Sequence, residues 1–174
     1  MRFFRKQGVA WIMTILMVLF AIGFGLAKAR VSPSGQQPGQ AGSYSYYVYD
    51  DAGVLDAGTE ESLRARNRQL DARMGVVIAC VTTNYGRDDL GSFAMDYAQD
   101  IGLGSHDFIV VLDISGENYW LIQGSGLVGL FSDDDCQSYA WDYMEEPFAQ
   151  GDYDAALLNL TQALAGWYAD HDLN

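Results

Sequence analysis

Val76-Val77-Ile78-Ala79-Cys80-Val81 and, further along, Phe108-Ile109-Val110-Val111-Leu112 are the two stretches that decide the fold. Each is an unbroken run of aliphatic and β-branched residues with no polar alternation, the pattern of a strand covered on both faces. Between them a polar loop, 84–89, leads to Phe93, Ala94, Tyr97 and Ile101, which keep helical spacing until Gly102-Leu103-Gly104. A buried strand, a helix and a second buried strand predict a parallel crossover. Ser115-Gly116-Glu117-Asn118 then turns the chain into an antiparallel partner over 119–123.

Outward from this unit, the aromatic segment 44–49 is expected to be extended and to end at Asp50-Asp51-Ala52-Gly53. Asp56 is placed as a helix N-cap, with Glu60 and Glu61 in the first turn, where the helix dipole favours them. Leu63, Leu70 and Met74 carry that helix to a glycine stop at Gly75. Downstream, Ser132 and Asp135 form a capping box for a helix expected to end at Pro147, and a last helix covers about 153–170. The fold class predicted is α/β: a three-layer α/β/α sandwich with a small mixed sheet, preceded by one transmembrane helix.

The ends of the chain follow opposite charge rules. Arg2, Arg5, Lys6, Lys28 and Arg30 flank an uncharged apolar run over 8–27. About 20 helical residues at roughly 1.5 Å each span the roughly 30 Å hydrocarbon core. Residues 1–30 are therefore read as a membrane anchor with basic flanks, and the excess of cations before the run places the N-terminus in the cytoplasm and the domain outside. The alternative is a secreted domain released by cleavage after Ala27-Lys28-Ala29. Residues 31–43, rich in Pro, Gly, Ser and Gln, read as a flexible linker. Residues 44–174 make one domain of ordinary size.

That domain holds all 23 acidic residues against Arg64, Arg66, Arg68, Arg73 and Arg87, a formal charge of about −18. Such a charge excludes nucleic acid as a partner, since phosphate binding needs a basic footprint, and it disfavours docking on anionic lipid. Cys80 and Cys136 are compatible either with a disulfide or with two separate buried thiols. Gly124-x-Gly126-x-x-Gly129 matches a dinucleotide fingerprint in spelling only, because no βαβ unit follows, and reads as a tight glycine turn. His106 and His171 lack partners at zinc-ligand spacing, and no nucleophile elbow is present.

The acidic pairs Asp50-Asp51 and Asp88-Asp89, and Asp113, all follow strands. Open α/β sheets bind ligands at the carboxyl ends of their strands. If 44–49 runs parallel to 76–81, these five carboxylates share one edge, and calcium, which takes six to eight oxygens from such loops, is the metal they suit. Solvated turn aspartates are the competing account.

The order of several segments resembles the TPM-domain family. They are Tyr47-Val48-Tyr49-Asp50-Asp51-Ala52-Gly53-Val54-Leu55-Asp56, Gly75-Val76-Val77-Ile78-Ala79-Cys80-Val81-Thr82, Gly102-Leu103-Gly104 with 107–112, the turn over 119–126, and Pro147-Phe148-Ala149-Gln150-Gly151-Asp152-Tyr153. The resemblance covers about 44–167. It implies an extracytoplasmic α/β/α domain tethered to a membrane, related to thylakoid-lumen proteins of photosystem II repair, with calcium binding in some members and acid-phosphatase activity in a few. Asp50 stands at the family's acidic signature position, Asp51 where an aromatic residue is common, and Phe108 where a glycine is usual. The expected function is a non-catalytic, calcium-binding module that assists assembly or maintenance of membrane or envelope complexes with a membrane or envelope protein partner. The alternative is a metal-assisted phosphomonoester hydrolase in which Arg87 would meet the phosphate.

Overall fold

The computed structural model describes residues 44–86 and 89–171. The expected anchor and linker, together with Arg87 and Asp88, lie outside the described residues. Among those described, no helix is long and apolar enough to cross a membrane.

After a 3₁₀ turn, Tyr44–Tyr47, come β1 (Val48–Asp50), α1 (Ala57–Met74), β2 (Ile78–Thr83), α2 (Leu90–Asp100), β3 (Phe108–Asp113) and β4 (Asn118–Gln123). Three further helices follow: α3 (Asp133–Ala140), α4 (Glu146–Ala149) and α5 (Tyr153–Asp170), with a π turn, Trp141–Glu145, between α3 and α4. The strands form one mixed sheet in the order β1-β2-β3-β4. β1, β2 and β3 are parallel, with Val48 opposite Cys80 and Ile78 opposite Phe108, and β4 returns antiparallel with Asp113 opposite Asn118. The protein is thus an α/β fold around a small four-stranded mixed sheet.

All six residues of β2 and all six of β3 are buried, and pleating divides their side chains between two cores. Ile78, Cys80, Phe108, Val110 and Leu112 face the side covered by Leu63 and Leu70 of α1 and by Leu157, Leu160 and Leu164 of α5. Ala79, Val81, Ile109 and Val111 face Leu90 and Ala94 of α2. Edge-on aromatic pairs knit the larger core, with Phe108 and Phe131 at 4.9 Å and Phe131 and Trp167 at 5.1 Å between ring centres.

Local signals place most helix ends. Gly75 closes α1 at φ 68°, donating its N–H to the Asp71 carbonyl, a left-handed position where a side chain would be strained. Both arms of the Ser132–Asp135 box form at α3. Asp56 does stand at the N-cap of α1, but its side chain caps nothing; instead its N–H donates to Asp154 Oδ1 at 3.0 Å, tying α1 to the start of α5.

Two expectations need correction. The aromatic segment is extended only from Val48, because 44–47 winds into the 3₁₀ turn, from which the Tyr44 hydroxyl donates to Asp71 Oδ2 at 2.7 Å. Pro147 does not end its helix. It sits in the first turn of α4, where a missing N–H costs little, and the π turn before it absorbs the ring's demand for space. Of the two alternatives for the cysteines, the structure has the separate thiols: Cys80 and Cys136 are both free and buried. Burial pushes each thiol up to about 12, against the small opposing pull of Arg66 at Cys80 and with added repulsion from Asp133 at Cys136.

Candidate functional site

The parallel register of β1, β2 and β3 brings the strand ends to one edge: Asp50 stands opposite Thr82, and Thr83 opposite Asp113. The two aspartates that terminate β1 and β3 do not point freely into solvent.

Asp50 is half-buried and folds the turn after it onto its own carboxylate. Oδ1 accepts the Val54 N–H at 3.1 Å, Oδ2 accepts the Leu55 N–H at 3.0 Å, and the Thr82 hydroxyl donates to Oδ1. Burial acts to raise its pKa, but the Thr82 hydroxyl and the amides of Leu55, Val54 and Gly53 outweigh that and hold it below the ordinary 3.8. Asp51 is exposed, and among the described residues its carboxylate meets the Tyr49 hydroxyl at 3.3 Å.

Asp113 is 1% exposed. It clasps two loops: Gly86 N–H donates to Oδ2 at 2.7 Å and Gly116 N–H to Oδ1 at 3.1 Å. The same loops meet again where Ser115 Oγ donates to Asn84 Oδ1 at 3.1 Å. Two glycines make the clasp possible. Gly86 has φ 61°, and a Cβ on Gly116 would come within 2.5 Å of Asp113 Oδ2. Asp89 is exposed and caps α2 by accepting the Ser92 N–H at 3.2 Å. Asp88 lies outside the described residues.

The structure therefore sets Asp50, Asp51, Asp89 and Asp113 along one side of the sheet but not in one cluster. β2 stands between Asp50 and Asp113, about 10 Å at two strand spacings. Among the described residues no three His, Cys, Asp or Glu side chains come together as metal ligands would. At the Asp113 clasp each carboxylate oxygen accepts a backbone N–H, and the adjoining loops add the Asn84 amide oxygen and the Ser115 hydroxyl, oxygen donors of the kind calcium takes.

Several residues that organise the two ends of the sheet carry no motif that marks them in the sequence. Thr82 and Gly86 hold the two aspartates. Asn67 of α1 pairs with both backbone groups of Ile78, accepting its N–H and donating to its carbonyl at 2.8 and 2.9 Å. Its place between Leu63 and Leu70 on one helical face was a usable signal. Beside Ile78, at the end of the sheet away from Asp50 and Asp113, Asp107 accepts the N–H groups of Val77 and Gly104 at 2.8 and 2.6 Å. Burial raises its pKa despite those two donors. Asp107 also lines a groove of about 370 Å³ with Met95, Ala98 and Leu103 on one side and Ile122 and Gly124 on the other.

The glycine string is accounted for by packing. A Cβ on Gly124 would overlap the Ser105 carbonyl, and one on Gly126 would come within 2.7 Å of His106 Nε2. Both are needed for 124–126 to close on the 104–106 loop.

Comparison with known proteins matches this arrangement. The profile of the TPM domain fits residues 48–166. The solution structure of the N-terminal domain of a protein from P. gingivalis is 26% identical, covers 70% of this chain and 80% of its own, and superposes with a TM-score of 0.63. The N-terminal domain of a protein from Corynebacterium glutamicum, at 16% identity, covers 80% of this chain and 90% of its own with a TM-score of 0.60. The BA42 protein of the psychrophilic bacterium Bizionia argentinensis, at 15% identity, covers 67% and 82% with a TM-score of 0.57. The latter two likenesses speak to fold alone. No curated protein matches in sequence. With the family's domain spanning most of the chain, the protein belongs to the TPM-domain family.

Proposed function

We propose that the chain is a membrane-tethered, extracytoplasmic, non-catalytic module that takes calcium at the carboxyl edge of its sheet and assists assembly or maintenance of membrane complexes. The observation that carries the calcium reading is the Asp113 clasp: a buried carboxylate at the end of a parallel strand, surrounded by oxygen-bearing loops. Asp88 and Asp89, on the loop that Gly86 begins, would complete the oxygen set. The tether rests on the apolar run over 8–27 with its basic flanks, and the assembly role rests on the family resemblance.

Calcium that binds the folded form alone should raise the melting temperature of the full-length protein in proportion to the logarithm of its concentration. About 100 times the dissociation constant adds roughly 2.7 kcal/mol. Asp113→Asn should lose most of that increment, measured against its own calcium-free baseline, whereas Asp134→Asn in the first turn of α3 should keep it. Equal increments in wild type and both variants would reduce the effect to screening of an acidic surface.

The rival is a metal-assisted phosphomonoester hydrolase on the same carboxylates. Chemistry of that kind needs a cation to hold the phosphate. Among the described residues every arginine lies on α1. Metal-dependent turnover of an aryl phosphate, abolished in Arg87→Ala, would favour the hydrolase.

A further inference from the structure

We propose that the outer edge of β4 is a strand-addition site that takes an extended basic segment of a partner protein. β4 is last in the sheet order, and its six residues pair with β3 in continuous register, without a bulge. Gly124 N–H donates to the Asp107 carbonyl at 2.7 Å. Alternation from that bond turns the backbone groups of Asn118, Trp120 and Ile122 toward β3, and those of Tyr119, Leu121 and Gln123 outward. The Tyr119 N–H is met by Asn118 Oδ1 at 2.8 Å. Among the described residues no strand pairs with this edge.

Proteins usually guard such an edge with charge, proline, a bulge or extreme shortness. Asn118-Tyr119-Trp120-Leu121-Ile122-Gln123 has none of these, whereas the opposite edge, β1, is three residues long and ends in an aspartate. Trp120 is 47% exposed beside Gly91, and Met95 on α2 is 64% exposed. Together with the groove between α2 and the end of β4, they form an apolar margin for alternate side chains of an added strand.

Charge identifies the occupant. The helices that pack against β4 are α2, with Asp96 and Asp100, and α3, with Asp133, Asp134 and Asp135, and neither carries a cation. All four described arginines lie on α1, which packs against α5 and the 3₁₀ turn. An uncharged edge with acidic shoulders repels a second copy of this chain, whose shoulders bear the same charge, and attracts a strand with alternating Lys or Arg.

The surface starts at the carboxyl edge, where Asn118 stands opposite Asp113, and runs along β4 away from it. It extends the assembly part of the reading above, and its test uses no calcium, so the two readings fail separately. The full-length protein in detergent micelles is titrated with a short synthetic peptide of alternating lysine and valine, and with its glutamate counterpart, while amide hydrogen exchange is followed. The lysine peptide is expected to protect the outward amides of 119–123 and the glutamate peptide to leave them exchanging. Trp120→Lys should weaken the lysine peptide by about tenfold or more. Met95→Lys, which leaves the strand intact, should weaken it in the same direction if the first variant misfolds. Protection elsewhere only, equal protection by both peptides, or no protection overturns the proposal. Protection that grows with protein concentration without peptide would assign the edge to a second copy and overturn it too.

Discussion

At the scale of single residues, Asp50 and Asp113 convert the ends of two strands into ordered turns. Both positions were legible, since each follows an apolar run. Their contacts were not, because Gly86 lies 27 residues from Asp113 and Thr82 lies 32 from Asp50. Only the sheet register brings such pairs together. At Asp50 the donated N–H groups and the Thr82 hydroxyl favour the ionised form, and the sign of the resulting pH dependence follows. With its folded pKa below the ordinary 3.8, Asp50 contributes stability that is fully present above that value and is lost as pH falls through the lower one. Asp50→Asn should destabilise at neutral pH by about 1–3 kcal/mol, toward the low end because the group is partly exposed. Melting curves of wild type and variant should converge as the solution is acidified below about pH 4. A gap that persists unchanged at low pH would mean that the loss is steric rather than electrostatic.

At the scale of elements, the local signals that are self-contained survive folding. The Ser132 box, the Gly75 stop and the α5 boundaries need only a few neighbouring residues, and each appears where the spacing places it. Signals that depend on distant partners do not. Residues 44–47 have strand-like composition yet wind into a 3₁₀ turn, and Pro147 is carried within a helix by a π turn that no pattern announces. The glycine turn after β4 was legible as a turn, but the reason for its glycines lies in the 104–106 loop. Gly124→Ala would push a methyl group to within 2.4 Å of the Ser105 carbonyl oxygen, which cannot step aside, whereas Gly126→Ala meets first the end of the His106 side chain at 2.7 Å and the same carbonyl only at 3.0 Å. Gly124→Ala should cost about 1–3 kcal/mol or more, and Gly126→Ala should cost clearly less. Denaturant midpoints of the two variants check this, and equal losses would remove the distinction between backbone and side-chain contact.

At the scale of the whole molecule, the acidic excess is distributed unevenly, with the described arginines confined to α1. There Arg64 pairs with Glu60, Arg68 reaches Glu61 at 2.6 Å, and Arg66 bonds the Leu158 carbonyl at 3.2 Å and Gln162 Oε1 at 3.0 Å on α5. The rest of the surface has little to offset its self-repulsion. Raising sodium chloride from about 0.01 M to about 1 M shortens the screening length from about 30 Å to about 3 Å. The melting temperature should rise by several degrees, and a flat or falling response would show that repulsion is not a significant cost. Net charge, the two buried strands, the Ser132 capping box, the Gly75 stop and family membership were all determined by the sequence itself, because each depends on residue type at short spacing. Strand order, the Asp113 clasp, the place of β4 at the margin of the sheet and the segregation of its acidic neighbours from the arginines were decided only by tertiary structure. They arise from parallel pairing between segments far apart in the chain, and pairing at that range leaves no local periodicity to read.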